Sequence, residues 1–109
     1  MNFNEFQTEA MKTASPRDDQ REKLAYGMLG LFGESGEVAE LLKKYLRGDG
    51  DLPVERLRNE MGDVMWYIAY LCDALGFTME EAAELNIKKL RARHGESYSG
   101  IGNRTGDGA

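Results

Sequence analysis

The sequence predicts an all-α protein. Apolar residues recur at intervals of three and four in four separate segments, which is the spacing of one face of an α-helix. The chain has only two prolines, Pro16 and Pro53, and both lie where this periodicity is interrupted. A glycine- and aspartate-rich stretch at residues 47–51 makes a further break. We therefore expect an antiparallel bundle of about four helices per chain.

The first two helices are predicted on either side of Pro16. The residue before a proline avoids the α conformation, so the first helix is expected to cover about residues 3–14. A polar linker follows, in which Asp18 or Asp19 is a suitable N-cap. The second helix is then predicted over about residues 21–46.

The third and fourth helices are separated by a glycine. The third is predicted over about residues 53–75, with a proline in its first turn and Gly76 as its stop. Thr78 and Glu81 form a capping box that opens a fourth helix, ending near residue 93. Because the third helix is apolar on nearly every side from residue 64 onward, it is expected to be central or to be covered by a second subunit.

Four glycines in the second helix call for an explanation. They stand at positions 27, 30, 33 and 36, and each costs about 1 kcal/mol relative to alanine inside a helix. One explanation is the close approach of another helix. The other is room for a ligand or metal beside neighbouring carboxylates, and the two are compatible.

Composition excludes several classes of protein. A net charge of -5 argues against binding to a nucleic-acid backbone, which requires clustered Lys and Arg. The single cysteine, Cys72, cannot form an internal disulfide and fits a reducing compartment. Residues 1–5 lack a basic, then apolar, export signal, and no run of eighteen apolar residues is present. We therefore expect a cytoplasmic protein that does not enter membranes.

Two pairs of carboxylates at helical spacing are the candidate functional residues. Glu34 and Glu37 lie on the second predicted helix, and Glu60 and Asp63 on the third. Helical winding places three of them on apolar faces and Asp63 on the flank of such a face. Inward-facing carboxylates without matching cations lose hydration at a cost of several kcal/mol each. A bound divalent cation would offset that cost.

The residue types select the kind of metal. Oxygen ligands without histidine or thiolate favour Mg²⁺, Mn²⁺ or Ca²⁺ over zinc or copper. A ferritin-like di-iron site is disfavoured, because it uses Glu-x-x-His where this chain has Glu-x-x-Glu and Glu-x-x-Asp. The simpler alternative is that the carboxylates form a solvated surface, as such pairs usually do.

Three segments together resemble the MazG-like all-α nucleoside triphosphate pyrophosphohydrolases, over about residues 3–98. The resemblance is carried by Gly33-Glu34-Ser35-Gly36-Glu37-Val38-Ala39-Glu40-Leu41, Glu60-Met61-Gly62-Asp63-Val64-Met65-Trp66-Tyr67 and Asn86-Ile87-Lys88-Lys89-Leu90-Arg91-Ala92-Arg93. Many family members have two adjacent acids in the first motif, and Gly33 takes the place of the first of them here.

The resemblance implies Mg²⁺-dependent hydrolysis of a (deoxy)nucleoside triphosphate to the monophosphate and pyrophosphate, with Mn²⁺ as a possible substitute, in the house-cleaning of nucleotide pools. It implies metal ligation by four carboxylates, Glu34, Glu37, Glu60 and Asp63. Glu34 is the candidate for orienting or deprotonating the attacking water. The residues expected to contact the substrate are Lys89, Asn86, Tyr67 and Trp66.

The resemblance also implies a homodimer or homotetramer, with the pyrophosphohydrolase domain at residues 1–96. Residues 97–109 are predicted to form a glycine-rich flexible tail, either disordered or closing over a ligand. Two other hypotheses stay open from the residues: a non-catalytic helical module that binds nucleotide or metal, and an interaction module whose acids are structural. The preferred base and sugar are not predicted, and phosphoribosyl-ATP is a further substrate to consider.

Overall fold

The protein folds into four α-helices without strands in the part described, which is residues 1–96 of a computed structural model. The helices are α1 (Phe3–Met11), α2 (Gln20–Leu46), α3 (Val54–Leu75) and α4 (Met79–His94). The all-α prediction is therefore confirmed. The predicted tail at residues 97–109 lies outside the described residues.

Helix ends follow the predicted capping signals closely. Asp19 is the N-cap of α2, and its carboxylate accepts a hydrogen bond from the backbone N–H of Glu22 at 3.0 Å. Thr78 and Glu81 form the expected capping box at the start of α4. Gly76 ends α3 with a φ of +83°, a left-handed conformation that glycine adopts without steric cost. These signals depend on local chemistry, which explains why the sequence identifies them.

The first helix ends three residues earlier than predicted. In a continuing α-helix the carbonyl of Ala10 would accept the N–H of Ala14. Here that carbonyl accepts from the backbone N–H and hydroxyl of Thr13, at 3.0 and 2.6 Å, and from the indole N–H of Trp66 at 3.2 Å. The N–H of Ala14 bonds instead to Met11. A tertiary contact from Trp66 thus helps to end the helix before the proline does.

The central helix is α3, as the sequence predicts. It packs against α2, α1 and α4, whereas α2 has no packing contact with α1 or α4 within residues 1–96. Ala69 is 0% exposed, and Tyr70 and Cys72 are also buried. The helix begins at Val54 with Pro53 in the N-cap position, one residue outside the first turn in which the proline was expected.

Two side chains fasten α1 to the rest of the fold. Gln7 is buried, donates to the carbonyl of Phe77 at 3.1 Å and accepts from the backbone N–H of Met79 at 2.7 Å. Trp66 donates its indole N–H to Ala10 and to the hydroxyl of Thr13. Both anchors satisfy polar groups that would be costly to bury alone.

The four glycines of α2 divide into two pairs. A Cβ at Gly27 would lie 2.5 Å from a methyl carbon of Leu71, and one at Gly30 would collide with the ring of Tyr67. A Cβ at Gly33 or Gly36 would meet nothing within 4 Å. Close approach of α3 therefore explains the first pair, and the second pair borders open space.

An apolar surface lies on one side of the α2–α3 pair. Exposed apolar residues recur at heptad-like spacing on both helices, to one side of the residues that join them. Because α2 and α3 are antiparallel, the two stripes lie on the same side. This apolar side comprises Met28, Phe32, Leu42 and Leu46 of α2 with Val54, Met61, Met65, Ile68 and Leu75 of α3. None of the described helices is long and apolar enough to span a bilayer.

The glycine contacts make a paired prediction. Gly30→Ala should lower the free energy of unfolding by about 1 to 3 kcal/mol, because the methyl group displaces the Tyr67 ring. Gly33→Ala, with open space around its Cβ, should raise it by up to about 1 kcal/mol. Urea denaturation followed by circular dichroism measures both. Equal effects of the two substitutions would contradict the packing described for α2 and α3.

Candidate metal centre

Three carboxylates from two helices meet on the α2–α3 pair. One carboxylate oxygen from each of Glu34, Glu60 and Asp63 lies within 4.8 Å of the others. The helix register explains this meeting. Gly30 contacts Tyr67, and one turn onward along α2 is Glu34, while one turn back along α3 is Asp63. We call these three residues the carboxylate cluster.

The cluster is less enclosed than the sequence predicts. Glu34 and Glu60 are half-buried, as expected for an inward face, but Glu37 and Asp63 are exposed. Glu37 also lies outside the cluster. A Cβ placed at Gly33 or Gly36 would meet nothing within 4 Å in residues 1–96, so the part of α2 around Glu37 faces open space. The carboxylates therefore border open space rather than a closed core.

The electrostatics of the cluster are repulsive. The pKa of Glu34 is raised, first by burial, then by a hydrogen bond that its protonated form makes with Glu60, and then by the negative charges of Asp63, Glu60 and Glu37. None of the ion pairs between described residues involves these four acids. The carboxylate cluster therefore concentrates negative charge, and no Lys or Arg of residues 1–96 forms an ion pair with it.

The spacing of the carboxylates suits a hard divalent cation. Two oxygens bound to one Mg²⁺ at about 2.1 Å are at most about 4.2 Å apart, and two bound to Ca²⁺ at about 2.4 Å are at most about 4.8 Å apart. The observed limit of 4.8 Å is within a small side-chain movement of either geometry. The cluster offers oxygen ligands only, which is the donor set that Mg²⁺, Mn²⁺ and Ca²⁺ prefer. These three residues thus fit such an ion.

Tyr67 stands beside the cluster on the α3 side. Its ring lies over Gly30, and its centroid is 5.9 Å from that of Tyr26 on α2. The pKa of the Tyr67 hydroxyl is raised, first by its hydrogen bond to Tyr26, then by burial, the nearby Tyr26 hydroxyl and the charges of Glu34 and Asp63. The substrate-contacting role of Tyr67 stays a prediction.

Within the described residues, the other residues predicted to contact the substrate do not join the carboxylate cluster. Trp66 is half-buried and uses its indole N–H to hold α1, which gives this side chain a structural role. Asn86 is exposed and Lys89 half-buried on α4, a helix that contacts α1 and α3 but not α2. Their roles toward a substrate stay predictions.

Sequence reasoning missed Tyr26 and Arg17. The guanidinium of Arg17 lies 3.6 Å from the centroid of the Tyr26 ring, and Tyr26 adjoins Tyr67. The sequence does contain a signal for Tyr26. Residues 26, 30, 33 and 37 recur at helical spacing, so Tyr26 shares one side of α2 with the first acidic motif. Arg17 lies in the linker before α2, so no helical pattern points to it.

The raised pKa of Glu34 makes a prediction about stability and pH. Protonated Glu34 favours the folded state below the ordinary pKa of 4.5, and this stabilisation is lost as the pH rises through the raised value. In chelator, Glu34→Gln should therefore be more stable than the wild type at pH 7, with the difference vanishing by about pH 4. Thermal unfolding across this range measures the difference.

Glu40 supplies the control on the same helix. Its pKa is lowered by a hydrogen bond and by the charge of Lys43, so its ionised form favours folding above pH 4.5 and the benefit is lost as the pH falls through the lowered pKa. Glu40→Gln should accordingly be slightly less stable than the wild type at pH 7. A loss of stability in Glu34→Gln at neutral pH would contradict the repulsion described for the cluster.

Comparison with known proteins gives a family and a phage relative. Residues 23–97 match the family described as MazG nucleotide pyrophosphohydrolase domain. The chain is 42% identical over 79 residues to the "Gene 37 protein" of Mycobacterium phage L5, a match that covers 69% of each chain. No solved structure matched significantly. The family match spans more than half of the chain and includes all three residues of the carboxylate cluster, and the chain therefore belongs to the MazG nucleotide pyrophosphohydrolase domain family.

Proposed function

We propose that the protein is a Mg²⁺-dependent hydrolase that converts nucleoside or deoxynucleoside triphosphates to monophosphates and pyrophosphate. The observation that carries the proposal is the carboxylate cluster, three acids that form no ion pair within residues 1–96, in a chain that belongs to this family. Divalent cations would supply the missing positive charge, and the same cations would bind the anionic triphosphate of the substrate. Clearing unwanted nucleotides from a cytoplasmic pool is the role we propose for this reaction.

The reaction needs an attack of water on the α-phosphorus. Bound magnesium would neutralise the triphosphate, polarise the phosphorus and lower the pKa of water. Glu34, Glu60 and Asp63 would hold the metal. Glu34 would also orient the attacking water and accept its proton, because one of its carboxylate oxygens lies within 4.8 Å of the carboxylates of α3. The bond from the α-phosphorus to the bridging oxygen then breaks, and pyrophosphate leaves.

Residues around the cluster complete the proposed site. Glu37 is exposed one turn beyond Glu34, so rotation of its side chain would bring a fourth carboxylate to the metal. Tyr67 would form one wall for the sugar or base. Lys89 would neutralise phosphate charge, and Asn86 would hydrogen-bond the sugar or a phosphate. These assignments follow the family motifs and are proposals for this chain.

Replacing one metal ligand tests the assignment. Asp63→Asn keeps the size of the side chain and removes its charge, so Mg²⁺-dependent kcat/KM should fall by more than the roughly 10- to 100-fold that follows the loss of an outer-shell partner. The assay follows pyrophosphate and monophosphate over a panel of NTPs and dNTPs, with Mg²⁺ and with chelator.

Glu55→Gln is the matched control for this assay. Glu55 is an exposed acid on the same helix, paired with Arg58 at 2.9 Å, and its replacement should leave turnover unchanged. Full activity of Asp63→Asn would show the metal-site assignment to be wrong. No turnover of any nucleotide by the folded wild type would favour a nucleotide- or metal-binding module instead.

We also propose that the protein is a homo-oligomer, at least a dimer, in which the apolar side of one α2–α3 pair packs on that of another. The exposed apolar residues of this side recur along two long helices, and their heptad-like spacing is that of helices that pack side by side. The exposed acids Glu37 and Asp63 lie on the opposite side of the pair. Dimerisation through the apolar side would therefore leave the carboxylate cluster open to substrate.

A single charge on the apolar side tests this association. Phe32 is 66% exposed at the middle of the surface, and Phe32→Glu should convert an oligomer to monomers, because a carboxylate would be buried without a partner. Leu85 on α4 is 67% exposed, and Leu85→Glu is the control that should keep the wild-type mass. Light scattering measures both. A monomeric wild type at micromolar concentration would contradict the proposal.

A further inference from the structure

The exposed charged residues of the α2–α3 pair follow one order along its length. Seven residues make nearly two turns of an α-helix, so positions seven apart lie on one line along it. On α2, Lys44 follows Glu37 by seven residues. On α3, Arg56 precedes Asp63 by seven residues. All four residues are exposed, so each helix presents a cation on the same side as its exposed acid.

The two cations lie at the same end of the helix pair. Lys44 is two residues before the end of α2, and Arg56 is two residues after the start of α3. Because the helices are antiparallel, both positions adjoin the connection at residues 47–53. We call these two residues the cationic end. Arg56 is about 6 Å along the helix axis from Glu60, and Lys44 is about 10.5 Å from Glu37, so their long side chains can reach a ligand bound at the carboxylate cluster.

Aromatic rings occupy the opposite end of the helix pair. Tyr67 follows Asp63 by four residues, in the direction away from Arg56. The ring centroid of Tyr26 is 5.9 Å from that of Tyr67 and 5.4 Å from that of Tyr70. Aromatic rings offer stacking to a base, whereas phosphate oxygens are bound by cations and N–H donors. The carboxylate cluster therefore lies between these rings and the cationic end.

The cationic end is available to a ligand. None of the ion pairs between described residues involves Lys44 or Arg56. Their neighbours Lys43 and Arg58, by contrast, each pair with an acid three residues earlier on the same helix, at 3.2 and 2.9 Å. The two cations nearest the carboxylate cluster along these lines are thus the two that the described part of the chain leaves without an ion pair.

The cations at the aromatic end are less well placed for phosphates. The guanidinium of Arg17 lies against the Tyr26 ring, 3.6 Å from its centroid. Lys23 is eleven residues before Glu34, which is about 16.5 Å along the axis of α2. Phosphates that extend from the carboxylate cluster would therefore meet positive charge first at the cationic end.

We propose that Lys44 and Arg56 bind the β- and γ-phosphates of the nucleoside triphosphate and hold pyrophosphate as it leaves, with the nucleoside directed toward the tyrosines. The inference rests on the proposed function and gives the substrate a direction along the helix pair. When the bond from the α-phosphorus to the bridging oxygen breaks, its electron pair passes to that oxygen of pyrophosphate. The two cations stabilise the negative charge that develops there.

Calorimetric binding of the two products tests this direction. Full-length protein is titrated with inorganic pyrophosphate, and separately with the four deoxynucleoside monophosphates, with Mg²⁺ at equal concentration in both solutions. Arg56→Gln and Lys44→Gln should each raise the Kd of pyrophosphate by about 2- to 10-fold, because a charge-assisted contact is lost. The Kd of the monophosphates should stay unchanged, since their single phosphate lies at the carboxylate cluster.

Arg58→Gln and Lys43→Gln are the matched controls. Each removes one positive charge close to a residue under test, but helical winding turns Arg58 by about 200° from Arg56 and Lys43 by about 100° from Lys44. The Kd of pyrophosphate should equal that of the wild type in both controls. All four replaced side chains are exposed, and melting temperatures show that each variant is folded.

The outcomes separate this inference from the proposed function. Weaker binding of pyrophosphate alone, confined to Arg56→Gln and Lys44→Gln, supports the inference. It is overturned by an unchanged Kd of pyrophosphate in both variants, by equal weakening in the controls, by weaker binding of the monophosphates instead, or by a wild type that does not bind pyrophosphate. Wild-type release of pyrophosphate from a nucleoside triphosphate would then leave the proposed function standing. Absence of turnover on every nucleotide overturns the proposed function and this inference with it.

Discussion

The close antiparallel contact between α2 and α3 is the constraint on which the site depends. Gly27 and Gly30 remove side chains from α2 at the points where Leu71 and Tyr67 press against it. The contact fixes the register of the two helices, and that register brings Glu34 level with Glu60 and Asp63. If one helix were displaced by one turn, its acids would move by about 5.4 Å and the three carboxylates would no longer lie close together. The two glycines lower the intrinsic helix propensity of α2, but the close contact that they permit sets the geometry of the carboxylates.

The same register gives the helix pair two unlike sides. Apolar side chains collect on one side, and exposed acids on the other. Each side is unfavourable for an isolated chain, because the first exposes apolar surface to water and the second gathers like charges. A second subunit and a divalent cation would relieve these two costs separately. Assembly and catalysis can therefore use the same two helices without competing for the same surface.

The sequence was sufficient to predict the four helices, because their signals are local. The Thr78–Glu81 capping box, Asp19 at the start of α2 and Gly76 at the end of α3 require no knowledge of distant residues. The end of α1 was wrong by three residues because Trp66, more than fifty positions away, bonds to the carbonyl of Ala10. Such a tertiary bond leaves no trace in the periodicity of α1.

The candidate site, like the fold, was predicted where its signals are local and was missed where they depend on contacts between helices. Pairing of acids at helical spacing was enough to nominate Glu34, Glu60 and Asp63, which the fold brings together. Periodicity placed Glu37 on the inward face, but it is exposed, because nothing in residues 1–96 packs against α2 around Gly33 and Gly36, and the periodicity of one helix does not show where its neighbour stops covering it. Tyr26 was missed because its ring contact with Tyr67 depends on the register of α2 against α3, which the sequence of neither helix specifies alone.

Binding of Mn²⁺ is the most direct test of the central claim that the carboxylate cluster is a divalent-metal site. Electron paramagnetic resonance of Mn²⁺ added to the full-length protein distinguishes bound from free ion without any substrate. We expect Mn²⁺ to bind and Mg²⁺ to displace it. Glu60→Gln should weaken Mn²⁺ binding by at least about 10-fold, since a coordinating carboxylate is lost. Equal Mn²⁺ affinity in the wild type and Glu60→Gln would contradict it.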